Sequence, residues 1–329
     1  MRVDKSMVDI LHSNSKLSGV SMIKGPDNTK LLLQQQDGHG QLVFYPLFSG
    51  ITLAYNHIQS PTWPESEFED AAAPFKINYC ISGRCELLLN SNSYVYVKEG
   101  ELALSNQVTQ KQYIYPTKQY EGIELYIDVA AAQKNMPWLK KEFGIDLAQM
   151  VLNYCGDEKT YIAEATIKVE AILKKLWNMA DAGTAAQMKL GVVELLCLLA
   201  AQKDFSQPSS RTFYTETQVE IAKKAEQILT ADISKHHPIR CLAQQFAVSE
   251  SSIKNYFRGV YGQNISDYLR NYRVTIAKQM LAETERPISE ISVMLGYTNQ
   301  GKFAAIFKSV VGRSPLDYRR TVRLAKIQH

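Results

Sequence analysis

The chain has 329 residues, of which 45% are hydrophobic and 21% charged, and its formal net charge is +4. This length allows two domains with separate cores, and the balanced composition excludes a fibrous or largely disordered protein. No apolar run reaches the roughly 18 residues of a membrane span, and residues 1–14 lack a signal-peptide core, so we predict a cytoplasmic protein with no membrane contact.

Short runs rich in β-branched and aromatic residues, separated by turn signals, extend from about Leu31 to Ile127. Strands at this spacing are typical of an antiparallel sandwich or barrel. A metal-dependent enzyme on such a barrel would need clustered His and Glu ligands. Only His39 and His57 lie among the strands, and no His-x-His occurs, so we predict no metal, no cofactor and no enzyme activity.

Tyrosines are dense in this region, and each offers a small organic ligand apolar area together with one hydroxyl group. We predict that an effector is bound by residues of this region: Tyr55, His57, Tyr79, Arg84 and Tyr96. The alternative for the tyrosines is that they satisfy strand propensity and pack the sheets. Arg84 follows a glycine turn, where it either pairs with an anionic ligand or is simply solvated.

From about Ala130 the apolar spacing becomes helical, with segments predicted over residues 136–143, 146–154, 160–179 and 185–203. The last segment is apolar on most faces, so this helix needs a partner surface, and we predict a helical dimerisation segment over residues 131–203. That surface is either the barrel of the same chain or the same helices in a homodimer. Residues 204–212, DFSQPSSRT, are polar and contain Pro and Ser, which predicts an interdomain linker.

Residues 213–329 contain one short pattern twice. Each copy begins with Pro-Ile, at Pro238 and Pro287, and continues through an apolar helix face, a short break and a second helix to a glycine. Two helices joined by such a turn form a helix-turn-helix, whose second helix enters the DNA major groove. This part holds 17 Lys and Arg against 10 Asp and Glu. We therefore predict an all-α domain with two helix-turn-helix motifs that binds double-stranded DNA.

The same segment resembles the AraC/XylS family of transcriptional regulators. The positions that carry the resemblance include Leu242, Ala243, Tyr268, Arg273, Ile288, Ile291, Gly296, Tyr297, Phe303, Phe307, Lys308, Gly312, Ser314, Pro315, Tyr318 and Arg319. Two departures occur, because Ser292 replaces the usual Ala and Ala304-Ala305 replace usually polar side chains.

The resemblance implies a multidomain α+β regulator, with a cupin-like sensor barrel over residues 1–130 ahead of the helical segment, the linker and the DNA-binding domain. It implies an activator that acts on RNA polymerase and is controlled by a small-molecule effector in the barrel. The alternative is that a partner protein, rather than a small ligand, controls the N-terminal half.

The predicted DNA contacts lie opposite the apolar face of each second helix. They are Ser251, Ser252, Lys254, Asn255 and Arg258 in the first copy, and Gln300, Lys302, Ala304 and Lys308 in the second. Asn can contact adenine through two hydrogen bonds and Lys can donate to guanine, whereas alanine can contact only a thymine methyl group. We therefore expect the first copy to carry more of the hydrogen-bond specificity. In the last helix, Arg319, Arg320 and Arg323 suit either phosphate contacts or a solvated surface.

Overall fold

The computed structural model describes residues 19–64, 73–89, 91–107, 112–156, 160–180, 182–203 and 211–327. The chain divides into two compact units, Met1–Thr215 and Glu216–His329. The first is an antiparallel β half-barrel with packed helices, and the second is helical. Most of the predicted linker, residues 204–210, lies outside the described residues.

The strands of the half-barrel are β1 Val20–Lys24, β2 Thr29–Gln35, β3 Gly38–Phe48, β4 Ile51–Gln59, β5 Thr62–Trp63, β6 Phe75–Leu88, β7 Ser93–Lys98, β8 Glu101–Ser105, β9 Tyr113–Ile114, β10 Tyr120–Ile127, β11 Tyr161–Glu164 and β12 Tyr214–Thr215. They pair antiparallel, in the order β1-β2-β3-β4-β10-β6-β7-β12. Strand β6 belongs to two parts of the sheet, since its first half pairs with β10 and β8 and its second half with β7 and β9. Strand β11 extends the sheet beyond β8.

Alternate side chains along each strand point to opposite faces of the sheet, and both faces are buried. One face, which includes Leu53 and Ile77, packs against the helices of the first unit. The other face, which includes Phe44, Tyr120 and Tyr126, packs against itself as the interior of the half-barrel. This double burial explains why the strands show little polar alternation in the sequence.

The helices of the first unit are α1 Val129–Asn135, α2 Trp138–Phe143, α3 Leu147–Cys155, α4 Ile167–Trp177 and α5 Ala185–Ala200. The helix predicted from residue 160 begins seven residues late. Residues 161–164 instead form β11, because Tyr161 and Ile162 continue the edge of β8 and are buried there. Thr166 then caps α4 by accepting a hydrogen bond from the Val169 amide.

Most of the apolar surface of helix α5 is buried within the chain. Val192, Leu195 and Leu196 are buried in the core that α5 shares with the sheet. Leu190 is an exception, with 72% of its surface exposed. Packing within the chain therefore accounts for most of this helix, and the homodimer stays a prediction.

The helices of the second unit are α6 Glu216–Ala231, α7 Ile239–Gln245, α8 Glu250–Tyr261, α9 Ile265–Glu283, α10 Ile288–Met294, α11 Gln300–Val311 and α12 Pro315–Ile327. The glycines at the end of the two copies, Gly262 and Gly312, end α8 and α11 with φ of 77° and 81°. Among the residues that the structure describes, no helix is long and apolar enough to cross a membrane.

Candidate nucleic-acid interface

The two repeated segments fold into two helix pairs with the same turn. In the first pair, the Val248 amide donates to the Ala243 carbonyl at 3.0 Å across Ala247, whose φ is 52°. In the second, the Tyr297 amide donates to the Ser292 carbonyl at 3.0 Å across a glycine with φ of 77°. The internal repeat is therefore a repeat of backbone geometry as well as of sequence.

Each second helix is capped and buried in the same way. Ser249 Oγ accepts from the Ser252 amide at 3.0 Å in α8, and Asn299 Oδ1 accepts from the Lys302 amide at 2.7 Å in α11. The inward positions are fully buried in both helices: Ile253, Phe257 and Val260 in α8, and Phe303 and Phe307 in α11. Burial of these positions fixes which face of each helix is left exposed.

The exposed face of α8 carries most of the predicted contacts. Ser251, Lys254, Asn255 and Arg258 are exposed, and Ser252 is half-buried. The hydroxyls of Ser251 and Ser252 both lie 2.8 Å from Ser249 Oγ, so they also support the cap. Lys254 Nζ lies 3.7 Å from Glu250, and such exposed pairs contribute about 0–1 kcal/mol, so this contact holds Lys254 only weakly.

The exposed face of α11 is poorer in hydrogen-bonding side chains. Gln300, Lys302 and Lys308 are exposed, whereas Ala304 is half-buried beside the core. The small departure at Ser292 is accommodated, because its buried hydroxyl donates to the Ser289 carbonyl at 2.8 Å.

Two arginines of α12 form internal contacts. Arg319 Nη2 donates to the Arg286 carbonyl at 2.6 Å, and Arg323 Nη2 lies 2.6 Å from Glu285 Oε1. These bonds attach α12 to the turn between α9 and α10. The sequence predicted either phosphate contact or free solvation for these arginines. It did not predict that they attach α12 to a distant turn, because sequence spacing does not reveal such contacts. Arg320 is exposed.

The structure does not bring the five predicted effector residues together. Tyr55 and Tyr79 are buried on the sheet face beneath the helices, and the Tyr55 hydroxyl donates to the Leu176 carbonyl at 2.8 Å. Burial raises the pKa of Tyr79 to about 12. Both tyrosines therefore act as core residues here.

His57 lies on the same sheet face, beyond the helices. Its ring is 4.7 Å from that of Trp177, and its Nδ1 lies 3.7 Å from Glu121 Oε1. His57 and Glu121 line a groove of about 340 Å³ that also includes His39 and Gln41.

Arg84 and Tyr96 do lie together, in a second groove of about 510 Å³. The Arg84 guanidinium is 5.3 Å from the centre of the Tyr96 ring, and the Tyr96 hydroxyl donates to Glu86 Oε2 at 2.7 Å. Burial lowers the pKa of Arg84, and the charge of Glu101 opposes this shift.

The same groove is lined by Arg211, Thr212 and Tyr214, which belong to residues 211–215, the segment that we call the strap. Tyr214 and Thr215 form β12 and pair with β7. Arg211 Nη2 lies 2.8 Å from Glu101 Oε1, with only 10% and 4% of the two side chains exposed. Sequence spacing does not reveal the pairing of Arg211 with Glu101, because 110 residues separate them and no local pattern connects them.

A further polar network lies inside the half-barrel. Lys76 Nζ is 3.5 Å from Glu124 Oε1 and donates to the Tyr113 hydroxyl at 3.0 Å, while Tyr126 donates to Glu124. Burial alone would lower the pKa of Lys76, but the charge of Glu124 and the contact with Tyr113 hold it above its usual value. These groups satisfy one another.

Comparison with known proteins identifies the helical unit. Residues 242–321 match the family described as "Helix-turn-helix domain". Together with the capped and exposed second helices, this match defines a DNA-binding transcriptional regulator. The regulatory protein SoxS of Escherichia coli is 36% identical over 101 residues, which cover 30% of this chain and 94% of SoxS. The chain therefore belongs to the AraC/XylS family, and its predicted resemblance is confirmed.

Two further similarities cover a similar share of the chain. The HTH-type transcriptional activator RhaR of Klebsiella pneumoniae is 31% identical over 97 residues, which cover 30% of this chain and 34% of RhaR. The C-terminal domain of AraT, a response regulator from Geobacillus stearothermophilus, is 30% identical, covering 31% of this chain and 84% of that structure with a TM-score of 0.30.

Proposed function

We propose that the protein is a transcriptional activator that binds a two-part DNA site through α8 and α11. The observation that carries this proposal is the repeated helix pair, with the same turn, cap and buried face in both copies. Each second helix would enter one major-groove segment. The similarity to RhaR, a transcriptional activator, supports activation and thus a contact with RNA polymerase.

The two helices contribute unequally to specificity. Lys254 and Asn255 stand exposed at the start of α8, where their side chains can reach base edges. Arg258 lies later on α8 and contacts phosphate. On α11, Gln300 and Lys302 contact bases, and the half-buried Ala304 contacts at most a thymine methyl group.

Selection of binding sites from random DNA, followed by footprinting, tests this proposal. Two protected segments about 34 Å apart are expected. Asn255→Ala should cost about 1–3 kcal/mol and relax the preference at one base pair. Lys224→Ala is the matched control, because Lys224 lies on α6 and pairs with Glu220. Equal weakening of Asn255→Ala on every DNA sequence would show that Asn255 contacts phosphate instead.

For the N-terminal unit, we propose a cupin-like sensor that binds a small-molecule effector in the groove of Arg84 and Tyr96. Its volume of about 510 Å³ lies within the usual range for ligand sites, about 300–1,000 Å³. Its lining combines charged groups with the rings of Tyr96 and Tyr214, which suits a small polar metabolite.

The position of this groove supports control of DNA binding. Arg211 and Tyr214 of the strap line it, and the strap ends at Thr215, immediately before α6 begins at Glu216. A ligand in the groove therefore contacts the segment from which the DNA-binding unit continues. The effector needs to change the strap by only about 1–3 kcal/mol to alter DNA affinity 5- to 150-fold.

A thermal-shift screen of the full chain against small metabolites tests the sensor. A ligand at 100 times its Kd should stabilise the protein by about 2.7 kcal/mol. Arg84→Gln should abolish the shift, and His57→Ala, in the other groove, should preserve it. The reverse pattern would place the effector beside His57. A complete lack of hits would favour control by a partner protein.

We also propose that residues 131–203 support a homodimer. Ile167 on α4 and Leu190 on α5 are 87% and 72% exposed, so both helices present a large apolar side chain that a second copy can cover. Sedimentation of Leu190→Lys checks this, since a dimer that uses α5 should dissociate. A partner protein on the same helices would leave the free protein monomeric with or without the substitution.

A further inference from the structure

The two helix pairs of the C-terminal unit are joined by a second connection besides α9. This connection involves the loop after α6, residues 232–238. Arg273, in the middle of α9, donates from Nε to the Ile233 carbonyl at 2.9 Å and from Nη2 to the Lys235 carbonyl at 3.3 Å. Both partners are backbone carbonyls, so the contact does not depend on an acidic side chain. One side chain of the connecting helix thus holds a loop that leads into the first helix pair.

The same loop contacts the turn of the second helix pair. A Cβ atom on Gly296 would lie 2.5 Å from the Ser234 carbonyl oxygen, so the two backbones meet there with no room for a side chain. Ile233 packs against the core of the second pair. The Tyr297 ring lies 5.7 Å from the Arg273 guanidinium. Arg273 therefore touches the loop of one helix pair and the turn of the other.

The loop of residues 232–238 also contains a hydrogen bond and an ion pair of its own. Asp232 Oδ1 accepts from the Ser234 hydroxyl at 2.5 Å, and Asp232 Oδ2 lies 3.0 Å from Lys235 Nζ. The hydrogen bond from Ser234, and then the contact with Lys235, lower the pKa of Asp232 to about 2. The carboxylate is therefore ionised at neutral pH, the form in which it accepts from Ser234 and pairs with Lys235.

We propose that Arg273 is a positioning residue that sets the spacing between the two recognition helices. The second helix pair packs along α9 through the buried Val274, Ala277 and Leu281. The contacts of Arg273, together with the meeting of Gly296 and Ser234, add a second path between the pairs and restrict their rotation relative to each other. We call this set of contacts the Arg273 clamp. It makes the protein discriminate between DNA sites by the distance between their two segments.

The expected effect follows from DNA geometry. One inserted base pair moves the second segment by about 3.4 Å and rotates it by about 35° around the duplex. A rigid pair of helices cannot follow this change without losing contacts, whereas a loosened pair can follow part of it. The clamp therefore predicts a difference in spacing preference, which a loss of overall stability would not produce.

Arg270 provides the matched control. It is also an arginine on α9, one turn earlier, but it is exposed and pairs with Asp267 of its own helix at 2.9 Å. Arg270→Gln removes the same charge from the same helix without touching the loop of residues 232–238. Gly296→Ala disturbs the contact between the turn of the second helix pair and Ser234, and it serves as the second variant.

The experiment rests on the proposed two-part DNA site. The full chain, Arg273→Gln, Gly296→Ala and Arg270→Gln are measured against the selected site and against sites with one base pair added or removed between the segments. The unaltered chain and Arg270→Gln should lose about tenfold or more in affinity at the altered spacings. Arg273→Gln should bind the selected site more weakly but vary by only about threefold across the three spacings.

The outcomes separate this inference from the proposed function. If Arg273→Gln and Gly296→Ala keep the spacing ratio of the unaltered chain, the clamp is wrong even though the DNA site stands. If the unaltered chain protects a single segment, the two-part site is wrong. Amide exchange then decides on the clamp: Arg273→Gln must accelerate exchange at Gly296 and Tyr297 relative to Arg270→Gln, and equal exchange in both variants overturns it.

Discussion

The buried ion pair between Arg211 and Glu101 gives a sharp prediction about the strap. Two hydrogen-bonding distances join the groups, 2.8 Å from Nη2 to Oε1 and 3.5 Å from Nη1 to Oε2. Arg211 Nη1 also donates to the Tyr96 carbonyl at 3.4 Å, and the Lys98 amide donates to Glu101 at 3.0 Å. Each partner therefore keeps some, but not the same, compensation when the other is removed.

The expected loss of stability for each variant follows from the contacts that the remaining partner keeps. Removing one partner of a buried pair usually costs about 3–5 kcal/mol, because a charge stays buried without its counterion. Arg211→Met leaves Glu101 with the Lys98 amide and with the Lys98 ammonium at 3.7 Å, so we expect about 3 kcal/mol. Glu101→Leu removes both acceptor oxygens and leaves the Arg211 guanidinium with only the Tyr96 carbonyl, so we expect about 4 kcal/mol. The double variant should recover most of the loss.

Urea unfolding followed by tryptophan fluorescence measures these losses in the full chain. The protein has three tryptophans, Trp63, Trp138 and Trp177, and all of them lie in the first unit, so the signal reports that unit alone. Lys140→Ala is the control, since the Lys140–Asp146 pair has a 2.7 Å contact but an exposed lysine, and should cost under about 1 kcal/mol. Losses below about 1 kcal/mol for both single variants would refute the claim that the strap pair is buried and stabilising.

Three further predictions concern single residues. Ser249→Ala removes the cap of α8 and should destabilise the C-terminal unit by about 1 kcal/mol, visible as faster amide exchange in α8; unchanged exchange would contradict the cap. The Asp232 carboxyl has its pKa lowered to about 2, against about 3.9 in an unfolded chain, so its stabilisation is present above pH 4 and lost as the pH falls towards 2. Asp232→Asn should reduce the loss of stability between pH 4 and 2, measured by circular dichroism. An unchanged loss of stability in this pH range would contradict the prediction. Burial raises the pKa of the Cys85 thiol to about 12, so a thiol reagent at pH 8 should modify the exposed Cys241 and spare Cys85, as mass spectrometry can show; equal labelling would mean that Cys85 is accessible.

The C-terminal unit could be predicted in detail because its signals are local. Apolar residues at helical spacing, the cap at Ser249 and the stops at Gly262 and Gly312 each act within a few residues. The exposed face of α8 follows directly from the burial of Ile253 and Phe257. The exceptions are contacts between distant elements, such as Arg319 with the Arg286 carbonyl.

The candidate effector site could not be predicted as well, because strand alternation does not say which face becomes the interior. Both faces of the sheet are buried, so Tyr55 and Tyr120 look equivalent in the sequence although they point to opposite sides. Only the helices, packed on one face, distinguish them. Strand β11 could not be predicted for a similar reason. Tyr161 and Ile162 fit a strand or the start of a helix equally well in the sequence, and only their pairing with the edge of β8 decides for the strand.

Helix α6 links the two features on which our proposals rest. Its first residue follows the strap directly, and its last leads into the loop held by Arg273. Between these ends, Glu226 accepts a hydrogen bond from the Tyr268 hydroxyl at 2.7 Å, which attaches α6 to α9. An effector that alters the strap would therefore act on an element connected to the Arg273 clamp.

This connection makes a prediction about control of DNA binding. If the effector acts through α6, its binding should change amide exchange at residues 233–235 as well as in the strap. Glu226→Gln weakens the attachment of α6 to α9, and it should reduce the effect of the ligand on DNA affinity while leaving ligand binding unchanged. A ligand that alters DNA affinity with no change in amide exchange at residues 233–235 would show that control does not pass through the clamp. Dimerisation through α4 and α5 would then be the route to test, because the effector and DNA must act on a shared equilibrium if one is to change the affinity for the other.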